Sequence, residues 1–547
     1  MFRPFAAALA LLATPALARE ADRPPAPRVP PKLIVAIAVD QLSADVFAEY
    51  RQHFTGGLKR LQNGVVFPSG YQSHAATETC PGHSTILTGS RPARTGIIAN
   101  DWVDLTTARA DKTIYCSEDE TVPGSSSSNY TVSPLHLKVP TLGERMKAAV
   151  PATRVVAVAG KDRAAVMMSG RGADQAWWWG GKGFVSYLGR EMPAAVTRAN
   201  AAVAAQIARP QPAMALPDFC HSRNVAVPVG TAGKTVGTGR FERAAGEAVK
   251  FRASPEFDAA IVTLATQMRA DMKLGEGATT DLLIVGASAS DYVGHTYGTE
   301  GTEMCLQLFA LDRTLGKMFD DLDRTGIDYS VVLTADHGGH DLPERHRMHG
   351  ITEAARVDAE FRAARIGEPI ARKLGIAGQL LWGGSFGDMW VDPKVTGAKR
   401  KRALAEIERA LTAHPQVQAV LTRAAILATP SPSGPPETWT LLQRARASYF
   451  DGRSGDFVVA LKPRITPISD GSRGSTSTHG SFWDYDRRVP ILFWRKGMTG
   501  FEQPMSVETV DILPTIAATI GLNVPPGEID GRCLDLDAGP GSTCPAN

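Results

Sequence analysis

The chain has 547 residues, 43% hydrophobic and 21% charged, with a formal net charge of +3. That composition excludes a disordered chain and suffices for one large α/β domain with insertions, or for two to three smaller domains. A charge of +3 spread over this length predicts no nucleic-acid-binding surface.

Residues 1–18 read as a signal peptide. Arg3 supplies a positive start, Phe5 to Ala13 a short apolar run, and Ala16-Leu17-Ala18 a small-x-small site, so cutting after Ala18 is predicted. The apolar run is too short for a membrane span of about 20 residues, and no later run approaches that length. No membrane anchor is expected after cleavage. The mature protein should be exported, to the periplasm of a double-membraned cell or as a secreted protein. Residues 19–32 form a Pro-rich leader.

The run LIVAIAVD at 33–40 predicts a first strand that ends in Asp40. Next comes Thr77-Glu78-Thr79-Cys80-Pro81-Gly82-His83-Ser84. Pro81 ahead of Ile86-Leu87 predicts a helix start there. Thr79 at such a start is either an N-cap or a hydroxyl beside free backbone N–H groups, where an anion is favoured. RVVAVA at 154–159 predicts a strand that runs into Gly160-Lys161-Asp162-Arg163. Lys161 and Arg163 are either a solvated charge pair or anion binders.

Residues 171–255, rich in Ala, Pro and Gly, carry the Trp177-Trp178-Trp179 triplet, which reads as packing. LLIVGAS at 282–288 predicts a strand leading to Asp291-Tyr292-Val293-Gly294-His295. Leu308, Leu311, Leu315, Met318 and Leu322 predict an amphipathic helix between Thr299 and Arg324, stopped by Gly326. SVVLTA at 330–335 predicts the next strand and leads to Asp336-His337-Gly338-Gly339. Strand, helix and strand make a βαβ unit and hence a parallel sheet. Residues 340–470 carry helical patterns and a Pro/Ser-rich break at Pro430 to Pro436. His479 lies upstream of VPILFW at 489–494, a further strand. The expected fold is α/β, a mostly parallel central sheet flanked by helices in one domain over 33–547, with cap insertions near 171–255 and 340–470.

Ligands at the ends of separate strands suggest a metal site at the carboxyl edge of the sheet. Asp and His without Cys suit Zn²⁺ or Mn²⁺. Each cluster alone also fits something plainer: Asp291 and His295 a surface pair, Asp336-His337 a turn. His340, His346 and His349 compete as ligands. Six cysteines fit an oxidising compartment. Cys533 and Cys544 bracket a short tail and are expected to pair. Cys116 and Cys220 have no assignable partner, and Cys80, inside the reactive-looking segment, is expected to stay unpaired.

Asp40, Thr79, Asp291-xxx-His295, Asp336-His337-Gly338 and His479 resemble, in order and spacing, the alkaline phosphatase superfamily. Asn100, with Lys161-Asp162-Arg163, resembles the PhoK/PafA-type bacterial alkaline phosphatases, which use Thr as nucleophile. The resemblance implies two zinc ions per chain. Asp40, Asp336, His337 and the Thr79 hydroxyl would hold one, and Asp291, His295 and His479 the other. It implies a phosphothreonine intermediate, with Asn100, Lys161, Arg163 and the Cys80 N–H binding the phosphoryl oxygens. It also implies small phosphorylated substrates, a monomer, and Lys161 with Arg163 in the place of a third metal. A structural Ca²⁺ in an acidic loop is also open. The expected activity is exported phosphomonoester hydrolysis. The first alternative is a phosphodiesterase or nucleotide pyrophosphatase on the same scaffold. A non-catalytic exported zinc- or phosphate-binding protein would be expected to lack a ligand or the nucleophile. A sulfatase would need a Cys-x-Pro-x-Arg segment, whereas Pro81 follows Cys80 directly.

Overall fold

The structure is a computed structural model and describes residues 29–525 and 527–545. The expected signal peptide and most of the leader lie outside the described residues.

Three strands form the middle of a ten-stranded sheet: Leu33–Val39, Asp281–Ala287 and Tyr329–Thr334. The first lies between the other two and is parallel to both. Every residue of Leu33–Val39 and Asp281–Ala287 is buried, because the sheet is covered on both faces. Leu33, Val35, Ile37 and Val39 point into one core, while Ile34, Ala36 and Ala38 point into another. That period-2 division explains why these strands read as continuous apolar runs rather than alternating ones. On the first face lie the long helices Pro255–Asp271 and Thr302–Thr325. On the second lie Leu142–Ala149, Asp162–Ser169 and Ile512–Thr519.

The predicted helix between 299 and 324 is Thr302–Thr325, closed by Gly326 at φ +72°. Val155–Ala159 joins the sheet in parallel beside Asp281–Ala287. The 489–494 run forms Arg488–Arg495 but enters antiparallel. Gln175–Trp179 then extends the sheet in parallel beyond Val155–Ala159. The Trp triplet is therefore packing within the main sheet. The stretch near 171–255, expected to begin a cap, instead begins as this sheet strand. Its helix Ala194–Ile207 packs into the core on the same face as Pro255–Asp271. Trp177 and Trp179 fill the first core and Trp178 the second. Within 340–470 a separate four-stranded antiparallel sheet forms, with its own core around Ile407, Met389 and Val459.

The six cysteines form three disulfides. Cys533–Cys544 closes the tail as expected. Cys220 pairs with Cys305. Cys80 is not free: it pairs with Cys116, because the chain after Asn100 returns as the Thr113–Tyr115 strand and brings the two Cα atoms to 6.4 Å.

Helix Thr79–Ile86 rests directly on the end of the Tyr329–Thr334 strand. A Cβ added at Gly82 would lie 1.8 Å from the Asp336 carbonyl oxygen. Backbone against backbone has no side chain to move aside. Gly82→Ala should therefore cost about 2–3 kcal/mol of stability in denaturant unfolding. It should also lower turnover by about tenfold or more, since displacements near 1 Å at a reacting group are that costly.

Candidate active site

The strand register brings the chemistry to one edge. Val39 pairs with Ala287, Ala38 with Thr334, and Ala159 with Gly286, so the following residues emerge side by side. Asp40 is the first residue past its strand, and Asp336 the second past its own. Asp291 and His295 lie one turn apart on helix Ala289–Tyr297, which follows its strand at once. His479 arrives on the connection leading to Arg488–Arg495.

Two triads have ligand atoms within 4.8 Å of one another: Asp291, His295 and His479, and Asp40, Asp291 and His337. The second contains Asp291 where Asp336 was expected. Asp336 reaches the same imidazole from another side, with Oδ2 3.3 Å from His337 Nε2. Each imidazole is aimed the same way. Nδ1 of His295 meets the Ser477 carbonyl at 2.9 Å, that of His337 the Gly338 carbonyl at 2.8 Å, and that of His479 the Thr77 carbonyl at 2.8 Å. A carbonyl on Nδ1 fixes the proton there and leaves the Nε2 lone pair facing inward, as metal-ligating histidines require.

The inward atoms lack partners. Asp40 Oδ1, Asp291 Oδ1 and His337 Nε2 are buried without a hydrogen bond. Each such atom costs on the order of 1–3 kcal/mol. Burial, with Asp291 and Asp336 nearby, pushes the Asp40 carboxyl well above its usual range. Burial also drives His337 down to about 3, so its ring is neutral. Orphaned oxygens and neutral imidazole nitrogens converging without a thiolate fit bound divalent cations with mixed O/N coordination.

Among the described residues, Lys161 brings a cation into this cluster. Its Nζ lies 2.6 Å from Asp40 Oδ2, 2.5 Å from Asp291 Oδ2 and 3.5 Å from Thr79 Oγ1. Burial opposes its charge, but Asp291 and Asp40 outweigh that and raise its pKa. Lys161 is thus a bridge between carboxylates as well as a neighbour of the hydroxyl.

Thr79 is the first helical residue and Glu78 the N-cap, so Thr79 is not the cap itself. Asn100 is held on three sides. Its N–H donates to Glu78 Oε2 at 2.8 Å, its Oδ1 accepts the Cys80 N–H at 2.8 Å, and its carbonyl accepts the Cys116 N–H at 2.9 Å. The Cys80 N–H, expected to face a phosphoryl oxygen, is instead engaged by Asn100, because the Cys80–Cys116 link draws that loop onto the helix start. With Oδ1 occupied, the donor end of the Asn100 amide is the free one. Arg163 is aligned by Tyr115, whose hydroxyl accepts from Nη1 at 3.3 Å and donates to Asp162 at 2.7 Å. The Arg163 Nε is buried without a partner.

Three contributors escaped the sequence reading. His83 meets the Thr79 carbonyl at 2.9 Å and Asp336 Oδ2 at 3.0 Å. Its i+4 spacing from Thr79 on one helix was the available signal. Glu78 and Tyr115 act through contacts that no local pattern announces.

A family model described as type I phosphodiesterase / nucleotide pyrophosphatase matches residues 34–482. Alkaline phosphatase PhoK of Sphingomonas sp. is 60% identical over 520 residues, covering 94% of this chain and 93% of that one. The chain belongs to the PhoK/PafA-like branch of the alkaline phosphatase superfamily. Alkaline phosphatase PhoD of Zymomonas mobilis is 45% identical over 519 residues, covering 94% of this chain and 89% of its own. A crystal structure of alkaline phosphatase PafA superposes with a TM-score of 0.78 at 25% identity, covering 92% of this chain and 98% of that one. This alkaline phosphatase-family chain has, among its described residues, no helix long and apolar enough to cross a membrane.

Removing bound metal should destabilise the folded state, because Asp40, Asp291 and Asp336 then repel across a buried site. Exhaustive chelation should lower the melting temperature by about 5 °C or more, and zinc should restore it. An unchanged melting temperature would separate these carboxylates from metal binding.

Proposed function

We propose that the protein is an exported phosphomonoesterase that works through a phosphothreonine intermediate at a two-zinc site. The observation that carries this reading is the Thr79 hydroxyl at a helix N-terminus, beside Lys161 and a cluster of inward-facing, unpartnered carboxylate and imidazole atoms. Asp40, Asp336 and His337, with Thr79, would hold one zinc, and Asp291, His295 and His479 the other. Bound there, the pair would supply Lewis-acid polarisation and favour deprotonated hydroxyl and water near neutral pH.

The chain's own residues do the rest. Thr79 Oγ is presented at the positive end of the helix dipole and attacks phosphorus. A Thr79 O–P bond forms, the ester P–O bond breaks, and the alcohol leaves with that electron pair. Water then attacks the same phosphorus, the Thr79 O–P bond breaks, and phosphate is released. Two in-line displacements give net retention. The Asn100 amide donor, Lys161 and Arg163 bind the non-bridging oxygens as charge-assisted donors. Clamped by Glu78, Cys80 and Cys116, Asn100 does not reorganise during the reaction. The second sheet within 340–470 serves as a cap over one side of the site.

Lys161 and Arg163 distinguish monoesters from diesters, since a monoester dianion brings more charge to the transferred group. The description of the matching family model supports the diesterase as the second reading.

Thr79→Ala should abolish the covalent phosphoprotein and lower turnover of p-nitrophenyl phosphate by about 10³-fold or more while zinc content stays unchanged. Full activity in that variant would remove Thr79 as nucleophile. Lys161→Ala combined with Arg163→Ala should lower kcat/KM for p-nitrophenyl phosphate about 10²–10³-fold more than for bis-p-nitrophenyl phosphate. Equal losses, or a wild-type preference for the diester, would move the protein to the second reading.

A further inference from the structure

Gly480, the residue after His479, borders a cavity of about 450 Å³ that lies between Glu78, the N-cap of helix Thr79–Ile86, and the smaller sheet. One wall holds Ala76, Glu78 and Gly480, next in the chain to residues of the site. The other holds Trp382, Phe386 and Trp390. The Phe386 ring lies 3.2 Å from where a Cβ on Gly480 would stand, so the missing side chain lets that ring approach the residue after His479. Trp390 is fixed by its indole N–H on the Arg453 carbonyl at 2.9 Å, and Trp382 by its own on the Gln379 carbonyl at 3.3 Å.

The charge in the cavity has one sign. Glu78, Asp101, Asp111 and Asp388 line it, and the described lining residues include no Lys, Arg or His. The phosphoryl-binding cations Lys161 and Arg163 are not part of this wall. A space with aromatic walls and acidic groups suits a flat group without negative charge. A second anion placed there would be desolvated among carboxylates.

We propose that this cavity receives the leaving group and selects monoesters of flat aromatic alcohols that carry no negative charge. Trp382 and Phe386 are the specificity-determining residues, and Asp388 contributes to rejection of anionic leaving groups. The proposal rests on the phosphomonoesterase reading above.

The test measures kcat/KM of the zinc-loaded full chain at alkaline pH on phenyl, 4-carboxyphenyl and methyl phosphate. Each variant is expressed relative to wild type, so the intrinsic reactivity of each ester cancels. Phe386→Ala and Trp382→Ala should each lower phenyl phosphate turnover about tenfold and change methyl phosphate by less than about twofold. Asp388→Asn should raise 4-carboxyphenyl relative to phenyl phosphate about threefold or more. Equal losses on phenyl and methyl phosphate, or no loss on either, would overturn the proposal. Phe386→Leu keeps an apolar side chain and repeats the comparison should the alanine variant be unstable. If wild type turns over none of the three esters, the phosphomonoesterase reading itself falls, and this proposal with it.

Discussion

Three carboxylates, Asp40, Asp291 and Asp336, are buried at one sheet edge around His337, and the site is organised by their mutual repulsion. Like charges in a poorly hydrated space must be neutralised by protons or by cations. Lys161 supplies one cation from the chain itself, bridging Asp40 and Asp291. The remaining oxygens face the imidazoles of His295, His337 and His479, whose outer nitrogens are committed to backbone carbonyls. The cluster is thus complete in shape and incomplete in charge, which is the condition a metal centre satisfies.

Holding that cluster together requires a rigid frame. The parallel strands supply it, because their register aligns their ends and their burial on both faces forbids sliding. Asp336 illustrates how the frame reaches the side chain. Its Oδ1 accepts N–H groups from Gln41 and His337, so one oxygen is anchored and only Oδ2 is left for the site. Gly82 permits helix Thr79–Ile86 to lie on the Asp336 backbone, and the Cys80–Cys116 link ties the same helix to the Asn100 loop. The Thr79 hydroxyl and the Asn100 amide are thereby positioned by one joint.

In the proposed reading, specificity is placed on different elements from chemistry. Lys161 and Arg163 stand at the start of helix Asp162–Ser169, just past the main-sheet strand Val155–Ala159. The aromatic wall comes from the smaller sheet, which has a core of its own. Such a division lets the outer wall vary without disturbing the metal ligands.

The sequence by itself determined the central strands and the acidic residues that follow them. Runs such as 33–40, 282–288 and 330–335 are apolar throughout because both faces are covered, and each delivers an acidic residue at or just past its end. That pattern is local, so it is legible without coordinates. Asn100, Lys161 and Arg163 were legible only as members of a resemblance, since single polar residues carry no period. The tertiary structure alone decided the partners. Cys80 pairs with Cys116 because the chain after Asn100 turns back, a path no spacing encodes. Gln175–Trp179 proved to be a strand of the main sheet rather than the start of a cap, because edge pairing depends on which neighbour is free. The roles of Glu78, His83 and Tyr115 likewise depend on the mutual placement of strand ends and helix starts. Hydrogen bonds across such distances are set by how the layers pack, and the order of residues does not specify them.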